Sequence, residues 1–283
     1  MADRSENIKV FNDTMEWIAE NPKLSASIDA GKKGTKVYFE DDYPSFEERK
    51  TCDTEVSVTG DRSFQAAMRL RRENPDAKIA VMNFANAFHA GGGVTKGSNA
   101  QEESLCRTST LYPLIYRKYL KGTYYKRNNS HRYLNNNAKG TDALVYTPGV
   151  IVCKTDEDLP QRMPESEWVE VDVITIAAPD LRQKSNPHAP LVGNGTCMTE
   201  AEQFGYHVRR AIHMLTCAAA EGAEILVLGA FGCGAFRNNP DVVSRAYKVA
   251  LEIFPNVFKK IEFAVYCTPR DGKNYEAFKK NLG

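Results

Sequence analysis

The chain has 283 residues, 42% of them apolar, and its 37 basic and 36 acidic side chains leave a formal charge of +1. A chain of this length holds one large domain or two small ones around a real core, without covalent staples. The charge balance excludes recruitment of nucleic acid or an anionic membrane through a global field, while leaving room for a locally basic pocket. The seven cysteines, Cys52, Cys106, Cys153, Cys197, Cys217, Cys233 and Cys267, lack the short pair spacings of a zinc site, so reduced thiols are the simplest account. The first residues carry no apolar segment of signal-peptide kind, and no run reaches membrane-spanning length. A soluble, cytoplasmic, monomeric protein is expected, with no membrane partner and no direct nucleic-acid partner.

Residues Lys9 to Glu20 space Val10, Met15, Trp17 and Ile18 as a short helix that Asn21-Pro22 ends. Gly31 to Arg49 is polar and interrupted, with Val37-Tyr38-Phe39 as a short strand before the acidic run Glu40 to Asp42. This extension, residues 1–50, is expected to cover the core of a domain spanning 51–283. Thr54 to Thr59 reads as a strand, Gly60-Asp61 breaks it, and Ser63 to Arg72 places Phe64, Ala67, Met68 and Arg71 at helical spacing. Asp61 therefore lies at a strand-to-helix junction, where a carboxylate either caps backbone N–H groups or meets a ligand.

Lys78 to Phe84 is the next strand and leads into NFANAFHAGGGVTKGSNAQEESLCRTSTL, Asn83 to Leu111. Gly91, Gly92 and Gly93 let a backbone approach a ligand without Cβ contact. The amide of Asn86 suits a ribose hydroxyl as donor and acceptor, whereas His89 reads as a loop histidine. After seven residues, Gln101, Glu102 and Glu103 open a helix. Two neighbouring carboxylates after such a loop point to chemistry; the plainer alternative is a tight turn followed by first-turn acids favoured by the helix dipole. Asn99 and Glu102 have the spacing of a capping box. Consecutive helical side chains diverge, so Glu102 bracing the turn would leave Glu103 for the cleft.

Tyr112 to Gly140 is aromatic, basic and rich in Asn. It reads as a short helix after Pro113 and then an insertion, a solvated loop with tyrosines packed inward, although such interleaving also suits an oligonucleotide-like ligand. Ala143 to Tyr146 and Val150 to Cys153 are short strands, and Val169 to Ala178 is an interior strand with apolar residues on both faces. The loop Pro179 to Gly195 precedes a long helix, Thr199 to Gly222, whose core stripe is Phe204, Val208, Ala211, Leu215 and Ala218. Glu224 to Ala230 is a buried strand that runs into GAFGCGAFRNNP, where Asn239-Pro240 starts a helix ending near Phe254. Ile261 to Cys267 and Asn274 to Leu282 close the chain as strand and helix. In such alternating folds ligands sit beyond the carboxyl ends of the strands, and the loop Gly229 to Gly234 offers backbone N–H groups to a diphosphate. It has neither the Gly-x-Gly-x-x-Gly order nor the Lys-Ser/Thr ending of familiar nucleotide loops.

Taken together, the triple glycine, the seven-residue spacer and Gln101-Glu102-Glu103 resemble the signature of the poly(ADP-ribose) glycohydrolases in their compact microbial form. NFAN at Asn83, TIAAP at Thr175 and GAFGCGAF at Gly229 resemble other parts of the macrodomain in those enzymes, and the similarity covers roughly Glu55 to Cys267. The resemblance implies a three-layer α/β/α macrodomain-like fold with a mixed central sheet and an N-terminal helical extension. It implies an enzyme that hydrolyses ribose–ribose O-glycosidic bonds of poly(ADP-ribose), mainly from the chain end, and releases ADP-ribose without metal or cofactor. A mono-ADP-ribosyl hydrolase and a non-catalytic ADP-ribose reader are the alternatives. Poly(ADP-ribose) and ADP-ribosylated proteins are then the partners. Carried over, Glu103 is the catalytic carboxylate and Glu102 the neighbour that holds ribose hydroxyls, with Gln101 supporting their loop. Asn86, Gly91, Gly92 and Gly93 approach the distal ribose and diphosphate; Gly232, Cys233, Gly234 and Ala235 form the diphosphate loop, Phe236 fixes the distal ribose, and Asp61 contacts adenine.

Overall fold

The computed structural model describes residues 3–47, 53–135, 138–182, 198–268 and 272–283. Cys52, Cys197 and most of the Pro179 to Gly195 loop lie outside these residues. Helix α1 (Arg4–Glu20) starts at a reciprocal cap, Asp3 accepting from the Glu6 N–H at 2.8 Å while Glu6 accepts from the Asp3 N–H at 2.8 Å. Asn21, expected only to stop this helix, also caps a second one, α2 (Pro22–Gly34), with Pro22 at its first turn. The sequence pattern missed α2 because its large apolar residues, Leu24 and Ile28, are sparse among Ser, Ala, Gly, Asp and Lys.

Strands β1 (Lys36–Tyr38) and β2 (Glu55–Thr59), helix α3 (Ser63–Glu73), strand β3 (Ile79–Phe84) and helix α4 (Gln101–Thr108) follow. The aromatic and basic segment opens with short helices, α5 (Leu111–Ile115) and α6 (Lys118–Leu120), around the short helix expected after Pro113, and its later part is helical where a loop was expected: a π turn over Lys121–Tyr125 and α7 (Lys126–Asn135). Tyr124 and Tyr125 do pack inward. The two short strands around Pro148 are one, β4 (Leu144–Val152), whose register shifts between Thr147 and Val150. Strand β5 (Val169–Ile176), helix α8 (Glu200–Ala220), strand β6 (Ile225–Leu228), helix α9 (Pro240–Leu251), strand β7 (Lys260–Ala264) and helix α10 (Lys273–Leu282) complete the described residues.

The strands form one sheet in the order β1-β4-β5-β3-β6-β7-β2. From β5 to β2 all neighbours are parallel, while β4 runs antiparallel to β5 and β1 antiparallel to β4. Alternate side chains of each inner strand feed two cores. Ile79, Val81, Val173 and Val227 pack with α1 to α5, and Ala80, Met82, Ile174 and Leu226 pack with α8, α9 and α10. The architecture is a mixed sheet between helical layers, and the carboxyl ends of β2, β7, β6, β3 and β5 share one edge.

The inward face of α8 departs from the expected stripe. Ala211, Leu215 and Ala218 are buried, but Phe204 and Val208 are only half-buried, and the first turns bury Gln203, His207 and Arg210 instead. These polar groups lie inside because the loops beneath them carry backbone carbonyls and an amide that need partners.

Candidate active site

Strand β3 delivers Asn83 and Phe84 to the carboxyl edge, and the chain turns through Asn86 and the triple glycine before α4 begins. Gln101 ties the helix to the strand: its Oε1 accepts from the Phe84 N–H at 2.9 Å, and its Nε2 donates to Met82 O at 2.7 Å and Ser63 Oγ at 3.0 Å. Its amide is occupied within the protein, so Gln101 positions the motif rather than offering a group to a ligand.

Glu102, 2% exposed, turns under the loop. One carboxylate oxygen accepts from the Asn86 N–H at 2.7 Å, and the other from the Gly91 N–H at 3.2 Å and Asn83 Nδ2 at 3.5 Å. Glu103, 7% exposed, accepts from the Gly93 N–H at 2.8 Å through Oε1 and the Ala100 N–H at 3.1 Å through Oε2. The expected capping register is therefore displaced by one residue. Ala100 is the residue before the helix, Glu103 reaches back to it, and Asn99 instead accepts from Arg107 Nη2 at 2.7 Å. Gly92 sits against both acids at φ 55°, and a Cβ there would lie 2.5 Å from Glu103 Oε1 and 3.2 Å from Glu102 Oε2. Only glycine permits that left-handed turn over two carboxylates.

Asn86 folds its own loop: Oδ1 accepts from the Phe88 N–H at 2.9 Å and the His89 N–H at 3.0 Å, which leaves Nδ2 for a ligand. His89 is exposed and joins this turn through its backbone.

Beside β3, strand β6 ends in the second glycine loop. Asn238 clips it from behind, donating from Nδ2 to Pro179 O at 2.8 Å and Gly232 O at 3.1 Å, and accepting at Oδ1 from Gln203 Nε2 at 3.2 Å and His207 Nε2 at 2.9 Å. Gly232, at φ 75°, presses on this clip, since a Cβ there would meet Ala178 Cβ at 2.5 Å and Asn238 Nδ2 at 2.6 Å. Gly234 and Ala235 are exposed, and a Cβ on Gly234 would meet nothing within 4 Å. Burial pushes the Cys233 thiol well above its usual range, so its place in the loop is structural. Phe236 is tied through its carbonyl to the Leu181 N–H at 3.0 Å, and the Arg182 guanidinium lies 5.3 Å from its ring centroid.

Asp61 stands at the β2–α3 junction but caps no helix. It accepts from Arg69 Nη2 at 2.9 Å and Nε at 3.2 Å, and Arg69 also reaches Glu262 at 2.5 Å. The edge order puts it three strands from β3, apart from the carboxylate pair.

This arrangement of glycine loop, paired acids and facing diphosphate-type loop agrees with a family match. The family described as microbial-type PARG, catalytic domain, matches residues 10–155, just over half of the chain. The chain belongs to the microbial-type poly(ADP-ribose) glycohydrolases. The solved poly(ADP-ribose) glycohydrolase of Thermomonospora curvata is 25% identical with a TM-score of 0.80, over 98% of this chain and 99% of that one. The same enzyme bound to the inhibitor ADP-HPD gives 26% and 0.79 over the same shares. The Deinococcus radiodurans enzyme in complex with ADP-ribose gives 30% and 0.74, over 90% and 96%. No curated protein matches the chain.

In this glycohydrolase, burial raises the Glu102 pKa to about 8; the Asn86 and Gly91 N–H groups and Asn83 pull it down, while the charge of Glu103 pushes it up. The sequence pattern did not reveal the groups that hold the motif from outside. Arg107, 2% exposed, donates to Ser98 O at 2.6 Å and so grips the spacer. From α1, Asn7 Nδ2 donates to Gly97 O at 3.1 Å and Thr14 Oγ1 to Arg107 O at 2.6 Å. Gly97 packs directly on the Arg4 carbonyl. The N-terminal helix thus braces the motif that carries the paired acids, a closer engagement than the expected cover. Its only sequence signal was polar residues, Asn7 and Thr14, on the face that also carries Phe11 and Ile18.

Proposed function

We propose that Glu103 and Glu102, clamped by backbone N–H groups beneath the triple glycine, carry out hydrolysis of the ribose–ribose O-glycosidic bonds of poly(ADP-ribose). The observation that supports this reading is the pair itself: adjacent acids, each held by two loop or helix-start amides, next to the strand whose neighbour presents an open glycine loop. Glu103 gives its proton to the leaving ribose oxygen as the bond to C1 breaks, then takes a proton from the water that attacks C1, so ADP-ribose leaves and the acid is restored. Glu102 accepts ribose hydroxyls and fixes the sugar. The exposed backbone at Gly234 and Ala235 receives the diphosphate, whose negative potential stabilises the oxocarbenium-like transition state. Asn86 Nδ2 and Phe236 hold the distal ribose, and Asp61 the adenine.

Cleavage proceeds mainly from the chain end, by a monomeric protein. The test is incubation of folded protein with defined polymer in the presence of chelator, following free ADP-ribose by mass spectrometry. Release above blank is expected, and none would reject the reading. Binding of ADP-ribose with no shortening of polymer would identify a reader instead.

A further inference from the structure

No acidic residue occurs between Glu103 and Asp142, in a chain otherwise balanced to +1, and Lys118, Lys121, Lys126, Arg127 and Arg132 fall on α6, the π turn and α7. Lys118, Lys121 and Lys126 are exposed, as are Tyr116, Tyr119 and Tyr133, 49%, 50% and 72% accessible. Aromatic side chains set among lysines on one surface offer stacking faces beside positive charge. A π turn over Lys121–Tyr125 joins α6 to α7 and carries Lys121 between the other two lysines. None of the three lysines makes an ion pair with a described residue; Arg127, by contrast, is neutralised by Glu40 at 2.7 Å.

This surface is continuous with the candidate active site at one end. Asn129 Nδ2 donates to Phe88 O at 3.4 Å, and the Arg132 guanidinium lies 4.6 Å from the Phe88 ring centroid, in the loop that leads to the triple glycine. At the other end is a hollow of about 600 Å³ walled by Tyr38, Tyr43 and Tyr119, with Asp41 and Asp42 at its rim. Tyr38 pairs with Leu144 and Val145 with Thr175, so β1 leaves the sheet at the same edge on which the glycine loops stand. Three inter-strand steps separate β1 from β3, about 14 Å.

We propose that this face is the track for the rest of the poly(ADP-ribose) chain on the leaving-group side of the scissile bond. The proposal rests on the polymer hydrolysis proposed above. Each repeat of the polymer carries a diphosphate and an adenine. Lys118, Lys121 and Lys126 meet the diphosphate charge. Tyr119 and Tyr43 offer stacking faces for an adenine in the hollow, and the rim carboxylates accept from its exocyclic amine. A surface of lysines alone would attract any polyanion; the acidic, tyrosine-walled hollow beside them favours a ligand that alternates phosphate with base.

The experiment compares the full-length K118E/K121E/K126E and Y119A variants with wild type on long polymer and on the two-unit oligomer. For the triple variant we expect KM on long polymer to rise about tenfold at low salt with kcat unchanged. The slope of log(kcat/KM) against log salt should shrink by roughly two, as three fewer charges displace counterions. Y119A should raise KM several-fold with little change in the salt slope, and both variants should cleave the two-unit oligomer like wild type. Wild-type kinetics of the triple variant on long polymer would overturn the track. So would an equal loss on both substrates, or displacement of polymer by single-stranded DNA at equal affinity. If wild type cleaves neither substrate, the hydrolase reading itself falls.

Discussion

Glu102 and Glu103 are covalent neighbours, yet the helix sends them to different donors, and the division of labour proposed for them starts from that divergence. Glu103→Gln keeps shape and hydrogen bonding but removes the transferable proton, so turnover should fall at least about 10²-fold while ADP-ribose affinity is retained. Near-wild-type turnover would move the catalytic role to another group. Glu102 has a different signature, written in stability. Its folded pKa of about 8 lies above the ordinary 4.5, so the folded state holds a proton that the unfolded chain releases between those values. The stability this confers is fully present below about pH 4.5 and is lost as pH rises through 8. Glu102→Gln, permanently neutral, should flatten that decline in melts taken from pH 5 to 9; an equally steep decline in the variant would show that another group causes it. At this scale the sequence disclosed the acids, because the glycine spacing singles them out. It concealed Asn238, His207 and Arg107, since a buried polar residue in a helix or loop looks like a surface one until its partners are known.

Among the elements, the second glycine loop separates conformational need from ligand need. Gly232 is demanded by the fold, with its positive φ and the Asn238 amide against it, whereas Gly234 faces open space. Gly234→Ala should therefore melt like wild type but bind ADP-ribose more weakly, by calorimetry; unchanged affinity would remove this loop from the site. Asn238→Ala strips partners from Gln203, His207 and two carbonyls, so it should cost about 2 kcal/mol in denaturant titrations and raise KM more than it lowers kcat. Equal wild-type KM in the folded variant would make the clip purely structural. The apolar periodicity of α8 was read as a stripe running through Phe204 and Val208, one residue away from the face that is actually buried at its start. Periodicity reports where hydrophobic residues are, and at the start of α8 the inner face is fixed by hydrogen bonding to the loops.

Across the whole molecule, the sheet order brings together residues that the chain keeps apart, Asn86 with Gly232 and Phe236, and the alternation of strand and helix was enough to place them on one edge. What local pattern could not supply was the long-range detail: the antiparallel β1 and β4 at one side, the helical nature of the later part of 112–140, and the hold of α1 on the motif of paired acids. Digestion of end-labelled polymer should yield monomeric ADP-ribose early while the chains shorten gradually, and abundant intermediate oligomers before monomer would defeat end-directed cleavage without touching hydrolysis itself. The hold of α1 also carries a consequence for the order in which the molecule assembles. The Asn7–Gly97 and Thr14–Arg107 hydrogen bonds join residues 90 and 93 apart, so closing them requires a long stretch of chain to be ordered first, and the loop-closure entropy delays them. In a refolding jump, helical ellipticity should recover in an earlier phase than hydrolytic activity, because the contact of the first helix with a motif synthesised well after it closes late.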